Sequence, residues 1–202
     1  MKILIIGATG TLGKEIYRKC QDKGHTITVA SRKQQPPIDI DDSKSIANYF
    51  NQSQLFDVII CVAGHASWGK LEKLSDEQIS LGINSKLIGQ VNIVRNGLKK
   101  LNPNGIIILT GGLLGYSPWP GTSNLAMANA GLTGFVKAIA LELNEGKKVV
   151  VIHPPLIQET AIKLGIDSRP WPSASKVAET YLKAINNQSS GQSIFVEGYE
   201  PE

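Results

Sequence analysis

The feature of this chain that most constrains its fold is a glycine-rich loop near the amino terminus. The loop, Gly7-Ala8-Thr9-Gly10-Thr11-Leu12-Gly13, follows the apolar run at residues 3–6. It opens a stretch in which Leu12, Ile16 and Cys20 have helical spacing. Glycines at these places let the chain turn tightly, approach a pyrophosphate and pack the helix on the strand. The pattern predicts a dinucleotide site at the helix start, and the alternative is a tight turn without a ligand.

Short apolar runs rich in β-branched residues alternate with helical segments along the whole chain. Several runs lack polar alternation, which is typical of strands that crossover helices bury on both faces. We expect an α/β fold in which residues 1–202 form a single Rossmann-type domain, a doubly wound parallel sheet of about seven strands with helices on both faces. The predicted strands are 2–6, 26–30, 37–40, 57–62, 105–110, 148–153 and 193–197, and the predicted helices are 11–23, 43–53, 75–101, 122–144 and 174–187.

The segment 154–173 interrupts this alternation with four prolines. Ligands of open parallel sheets bind beyond the carboxyl ends of the strands, so this segment is a candidate substrate lid. It carries Trp171, while Trp68 and Trp119 lie on other loops at the same expected edge. Three loop tryptophans favour an apolar or cyclic small-molecule ligand, although such side chains often only cover the edge of a core.

The end of the second predicted strand bears on which dinucleotide binds. It is followed by Ser31-Arg32-Lys33, where no acidic residue is present to bind a ribose 2′-hydroxyl. Arg32 can bind a 2′-phosphate and Ser31 can donate to it, so we expect NADP(H) rather than NAD(H). The alternative is that Arg32 is a solvated loop residue. Asp39-Ile40, at the end of the third predicted strand, is placed to contact the adenine or to act as a turn and cap.

Composition and charge exclude several other classes. The 202 residues, 42% of them hydrophobic, suffice for one core. Basic residues on the first predicted helix lie opposite its apolar face, which favours a solvated surface over nucleic-acid binding. Cys20 and Cys61 lack metal-ligand spacing, and no apolar run reaches the roughly 18 residues of a membrane span. We expect a soluble, cytoplasmic protein with no metal and no nucleic-acid or membrane partner.

Together these residues resemble the short-chain dehydrogenase/reductase family over essentially the whole chain. The glycine loop is similar to the family's glycine motif, and residues 61–64 look like its Asn-Asn-Ala-Gly motif with both asparagines replaced. The resemblance implies an oxidoreductase that transfers a hydride between NADP(H) and a small carbonyl or alcohol. The cofactor-binding residues expected from the motifs and the resemblance are Gly7, Thr9, Gly10, Thr11, Leu12, Gly13, Ser31, Arg32, Asp39, Ile40, Ala63, Gly64, Asn129, Pro154 and Ile157.

The resemblance also locates a departure from the family pattern. Alignment through the glycines at 131 and 134 places the family's Tyr-x-x-x-Lys on residues 125–129, where the chain has Leu125 and Asn129. Gly112 stands at the family's serine, so only Asn84, at the mid-helix asparagine, is retained. In the family the tyrosine transfers a proton and the lysine lowers its pKa. Leucine cannot transfer a proton.

Two explanations remain open. In the first, the chain is an oxidoreductase with a relocated acid or base: Tyr116 is the leading substitute and His65 the second, Thr110 or Ser117 polarises a carbonyl, and Lys86 is the least favoured. The predicted catalytic residues are then Asn84, Tyr116 and Thr110. In the second, the chain binds NADP(H) without turnover and acts as a redox sensor or scaffold, a choice that fold alone does not decide.

The predicted helix 122–144 is apolar around most of its circumference. Such a helix must be buried on more than one side. We therefore expect a homo-oligomer through helix 122–144, most simply a dimer, with Leu132 and Phe135 in the interface.

Overall fold

The computed structural model describes residues 1–201, which form one parallel sheet between two layers of helices. The elements in chain order are β1 (Lys2–Ile6), α1 (Thr11–Asp22), β2 (Thr26–Ala30), α2 (Ser43–Gln52), β3 (Phe56–Cys61), α3 (Asp76–Gly82), a π-helical turn (Ile83–Ile88), α4 (Gly89–Gly97), β4 (Leu101–Thr110), α5 (Ser123–Ile139), β5 (Lys148–His153), α6 (Gln158–Lys163), α7 (Ala174–Ile185) and β6 (Ser193–Phe195). The strand order is β2-β1-β3-β4-β5-β6, and every pairing is parallel.

The core has two parts, one on each face of the sheet. On one face α2, α4 and α5 contribute buried side chains such as Phe50, Ile93 and Leu132. On the other face α1 and α7 do so, with Ile16 and Tyr181 fully buried. Because β1, β3, β4 and β5 are covered on both faces, their apolar side chains need no polar alternation. The doubly wound parallel sheet predicted from the sequence is thereby confirmed.

The sheet has six strands, so the prediction of about seven was wrong at 37–40. This stretch is extended loop, not strand. Pro36 and Pro37 carry no N–H for a strand ladder, and the Ile38 N–H donates instead to the Ser31 carbonyl over 3.2 Å. Ile38 is 2% exposed, so its apolar character reflects burial in the core.

Two helical predictions also needed correction, and one helix was not predicted. The predicted helix 75–101 is interrupted by the π-helical turn, although Ser75 and Gln78 form a capping box at its start. The predicted helix 122–144 ends at Ile139. The segment 154–173 contains the short helix α6, which its prolines did not suggest.

None of the helices within residues 1–201 is long and apolar enough to cross a membrane. The same residues hold no group of three or more His, Cys, Asp or Glu side chains that could bind a metal ion.

Candidate cofactor and substrate site

The glycine loop has a geometry that excludes side chains at two positions. Gly7 has a φ of +94°, and a Cβ there would lie 2.9 Å from the Ala63 nitrogen. A Cβ at Gly13 would overlap the Gly7 carbonyl. Helix α1 then starts after Gly10 without a side-chain cap, so its first N–H groups face outward. The loop can therefore bring backbone donors close to a phosphate.

Eight predicted cofactor residues line one cavity beside this loop: Gly7, Thr9, Ser31, Arg32, Asp39, Ile40, Ala63 and Gly64. Arg32 is exposed and makes no ion pair within residues 1–201. The Asp39 carboxylate accepts from the Asp41 N–H over 3.1 Å and so stabilises its own turn. Gly10 and Thr11 lie outside this cavity in a groove at the start of α1, where the Lys163 ammonium of α6 donates to the Thr11 hydroxyl over 3.3 Å.

A second cavity of about 540 Å³ lies beyond the carboxyl ends of β4 and β5. Gly64 lines both cavities, so they adjoin at this residue. The remaining predicted cofactor residues on the wall of the second cavity are Leu12, Asn129, Pro154 and Ile157. Its volume is within the range of small-molecule sites, about 300 to 1,000 Å³.

Asn129 provides a direct test of whether this cavity suits a polar ligand. Its side chain is 1% exposed, and its Oδ1 has no hydrogen-bond partner within residues 1–201. A buried amide oxygen without a partner is energetically unfavourable, so a donor in the cavity would stabilise it. A ribose hydroxyl of a dinucleotide is such a donor, and the residues present therefore fit a nicotinamide dinucleotide.

Asn129 also accounts for the glycine at the family's serine position. A Cβ on Gly112 would lie 2.8 Å from the Asn129 Nδ2. A side chain is also excluded at the neighbouring Gly111, because a Cβ there would lie 2.5 Å from the His153 Nδ1. His153 was not identified from the sequence. Its Nδ1 lies 3.2 Å from both the nitrogen and the oxygen of Gly112, and burial lowers the pKa of His153 to about 4, so a neutral imidazole supports the two glycines.

The far wall of the second cavity is aromatic. Trp119 lies between Trp68 and Trp171, with ring centroids 6.2 Å and 5.4 Å away. The Trp171 Nε1 is buried and has no hydrogen-bond partner in the part of the chain that the structure describes. Leu113, Leu114, Leu125 and Leu156 complete an apolar lining. This wall suits an apolar or ring-containing molecule that presents one acceptor.

Lys86 is the residue that the π-helical turn contributes to the cavity. Its Nζ donates to the Gly111 carbonyl over 3.0 Å, and burial lowers the pKa of Lys86 to about 8. Lys86 was the least favoured of the candidate acids predicted from the sequence. π-Helical turns occur often at functional sites, but no sequence pattern indicated this one.

The structure does not bring the three predicted catalytic side chains together. Tyr116 is not on the cavity wall. Its hydroxyl makes hydrogen bonds to the Thr133 and Ser193 hydroxyls, at 3.0 and 2.9 Å. Asn84 is exposed on the outer side of the π-helical turn. Thr110 reaches the cavity, but its hydroxyl lies 2.6 Å from the Cys61 carbonyl and 2.8 Å from the Tyr181 hydroxyl. The hydrogen bonds of Tyr116 and Thr110 and the exposure of Asn84 argue against the three predicted roles.

The two weaker candidates lie at the margins of the site. His65 is exposed on the wall of the first cavity, and its Nδ1 is 3.3 Å from the Ser85 hydroxyl. Ser117 is exposed at the rim of the second cavity.

Comparison with known proteins agrees with this architecture. Residues 1–170 match the family model described as short chain dehydrogenase. The chain is 26% identical to the 3-oxoacyl-[acyl-carrier-protein] reductase FabG of Rickettsia bellii, over 96% of this chain and 94% of that protein. It superposes on the protein lin1944 of Listeria innocua with a TM-score of 0.89 and 32% identity, covering 97% of this chain and 99% of the other. It also superposes on a small-chain dehydrogenase in complex with NADPH, with a TM-score of 0.87 and 29% identity, covering 98% and 97%. The chain therefore belongs to the short-chain dehydrogenase family.

Proposed function

We propose that the chain is an NADP(H)-dependent oxidoreductase that interconverts a small, apolar carbonyl compound and its alcohol. The observation that carries the proposal is the pair of cavities that adjoin at Gly64, one beside the glycine loop and the other apolar. When bound, NADPH supplies a hydride to a carbonyl carbon. The chain's own residues bind the cofactor, orient the substrate and exclude water.

The cofactor residues divide by position. The glycine loop and the start of α1 would hold the pyrophosphate, and Ile40 and Asp39 would bound the adenine. Arg32 would bind a 2′-phosphate, because it is a free guanidinium beside Ser31 at the cavity wall. Asn129 would accept from a ribose hydroxyl through its free Oδ1. A structural neighbour at 29% identity binds NADPH, which supports the preference for NADP(H).

The substrate side is defined by the tryptophans and by the segment 154–173, which we propose as a lid. The segment covers the second cavity with Pro155, Leu156, Thr160 and Trp171. Its helix α6 lies against the start of α1 through Lys163. A segment that lines both the second cavity and the groove at the start of α1 can close over the bound pair and exclude water from the reacting atoms.

We also propose that the chain is a homo-oligomer through α5. Met127, Ala130, Gly134 and Ala138 are exposed, and a Cβ at Gly134 would meet no atom within 4 Å. Such a face of small and apolar residues allows close approach of a second helix. Leu132 belongs to the monomer core at 0% exposure, and Phe135 is only partly exposed and packs against that core, so the proposed interface moves to the exposed residues of α5.

The alternative is a redox sensor or scaffold that binds NADP(H) without turnover, which Leu125 and Asn129 favour because neither transfers a proton. Two measurements on the purified protein separate these functions: NADPH affinity by calorimetry, and NADPH oxidation with acetophenone, cyclohexanone and 9,10-phenanthrenequinone. Tight NADPH binding with carbonyl-dependent oxidation supports the oxidoreductase. Tight binding with no oxidation across the panel contradicts it and favours the sensor.

A further inference from the structure

One ionisable side chain of the second cavity has no role in the site described so far. The Lys86 Nζ makes a single hydrogen bond within residues 1–201, to the Gly111 carbonyl, although an ammonium carries three N–H groups. Its backbone is confined by Gly64, where an added Cβ would lie 3.2 Å from the Lys86 Cα. The loop after β3 and the π-helical turn thus hold the ammonium at the cavity wall, and two of its three N–H groups make no hydrogen bond within residues 1–201.

The protein provides no counter-ion for this ammonium. No carboxylate within residues 1–201 lies within 4.0 Å of the Lys86 Nζ. Cys61 and His153 are the titratable side chains that interact with it electrostatically. Tyr181 contacts Thr110 on the cavity wall, and His65 contacts Ser85 next to Lys86 in the chain. None of these four side chains carries a negative charge at neutral pH. Burial raises the pKa of Cys61 to about 12 and also raises the pKa of Tyr181. A partly buried ammonium without a counter-ion is unfavourable, and a polarised oxygen in the cavity would stabilise it.

Lys86 is also the one side chain on the wall of the second cavity that can release a proton near neutral pH. The other polar wall residues are hydroxyls, the Asn129 amide and the Trp171 indole, none of which ionises in that range. The pKa of Lys86, lowered to about 8 by burial, suits proton transfer close to neutral pH.

Building on the proposed function, we propose that Lys86 is the proton donor of carbonyl reduction and gives an ammonium proton to the substrate's carbonyl oxygen. In this step the carbonyl carbon accepts a hydride from the reduced nicotinamide. The electron pair of the C=O π bond forms an O–H bond with the Lys86 proton. The products are an alcohol, the oxidised nicotinamide and a neutral Lys86 amine, which regains a proton from water. The Gly111 carbonyl keeps the side chain in place throughout.

The first test needs no turnover and uses benzoate as an oxyanion probe of the apolar cavity. Benzoate keeps one negative charge between pH 6.5 and 9.5, so any change in its affinity reports on the protein. Calorimetry of the protein saturated with NADP⁺ should show at least a tenfold loss of benzoate affinity across that range. Lys86→Met should remove this pH dependence, whereas Lys99→Met, which alters an exposed lysine, should retain it. A pH-independent benzoate affinity, or no benzoate binding, contradicts the proposal.

The second test measures NADPH oxidation with 9,10-phenanthrenequinone from pH 6 to 10. The parent rate should fall above about pH 8, because reduction needs the ammonium form. Lys86→Met and Lys86→Arg should each lose about 10²- to 10⁴-fold in kcat while binding NADPH with parental affinity. Arginine keeps the charge but does not release a proton, so it separates proton transfer from electrostatic attraction. Parental rates and pH profile in both variants overturn this inference alone, whereas a parent that reduces no carbonyl overturns the proposed function and this inference with it.

Discussion

The lysine at the cavity wall makes a quantitative prediction about stability. Replacing Lys86 by methionine removes the buried charge while keeping a side chain of similar length. In the unfolded chain the pKa of a lysine is 10.5, and in the folded protein burial lowers the pKa of Lys86 to about 8. This difference corresponds to about 3 kcal/mol of unfolding free energy at pH 7, since one pKa unit is worth about 1.4 kcal/mol.

Two effects reduce the stability that Lys86→Met is expected to gain over the parent. Lys86 is partly solvent-accessible, and the variant loses the hydrogen bond to the Gly111 carbonyl, whose net contribution is about 1 kcal/mol. We therefore expect Lys86→Met to be about 1 to 2 kcal/mol more stable than the parent at pH 7, which raises Tm by roughly 2 to 8 °C for a chain of this size.

The pH dependence of this stability advantage follows from the direction in which the pKa of Lys86 is shifted. Between pH 8 and 10.5 the unfolded chain binds a proton at Lys86 that the folded chain has released, so the parent gains stability as the pH rises. The advantage of Lys86→Met is complete below about pH 8 and is lost by about pH 10.5. Urea unfolding followed by circular dichroism at pH 7, 9 and 10.5 measures this difference, with Lys99→Met as the control. A variant that is less stable than the parent at pH 7, or whose advantage does not change with pH, refutes the reasoning.

Three further predictions concern cofactor preference, the excluded tyrosine and assembly. NADP(H) should bind at least tenfold more tightly than NAD(H) in calorimetry, and Arg32→Ala should remove most of that preference because it loses a charge-assisted contact of about 1.5 to 3 kcal/mol. Lys33→Ala is the matched control, and equal affinities of the parent protein for NADP(H) and NAD(H) would contradict the assignment. Tyr116→Phe should leave NADPH-dependent turnover within about twofold of the parent, because its hydroxyl bonds to Thr133 and Ser193 outside the cavity; a large loss of kcat would restore Tyr116 as a donor. Ala138→Arg should lower the sedimentation mass towards the monomer by blocking close approach at α5, whereas Leu164→Arg on the exposed end of α6 should not; a parent that is already monomeric at micromolar concentration would contradict the interface.

The sequence by itself determined the fold class and predicted most of the candidate cofactor site. The glycine loop, the unbroken apolar strands and Arg32 are local patterns, and each depends on neighbouring residues only. A glycine is required at residue 7 because of its positive φ and the nearby Ala63 backbone, and the motif spacing already implied such a close approach. Eight of the fifteen predicted cofactor residues accordingly line one cavity.

The chemistry at the other end of the site was decided only by tertiary structure. The alignment selected Asn84, but the π-helical turn changes the direction of successive side chains, so Asn84 faces solvent and Lys86 faces the cavity. Tyr116 has the right chemistry, yet packing against His153 and Phe195 places it outside the cavity. Residue type and spacing predict what a side chain can do, whereas helix phase and long-range packing determine which side chains share a cavity, and neither is encoded in a local pattern.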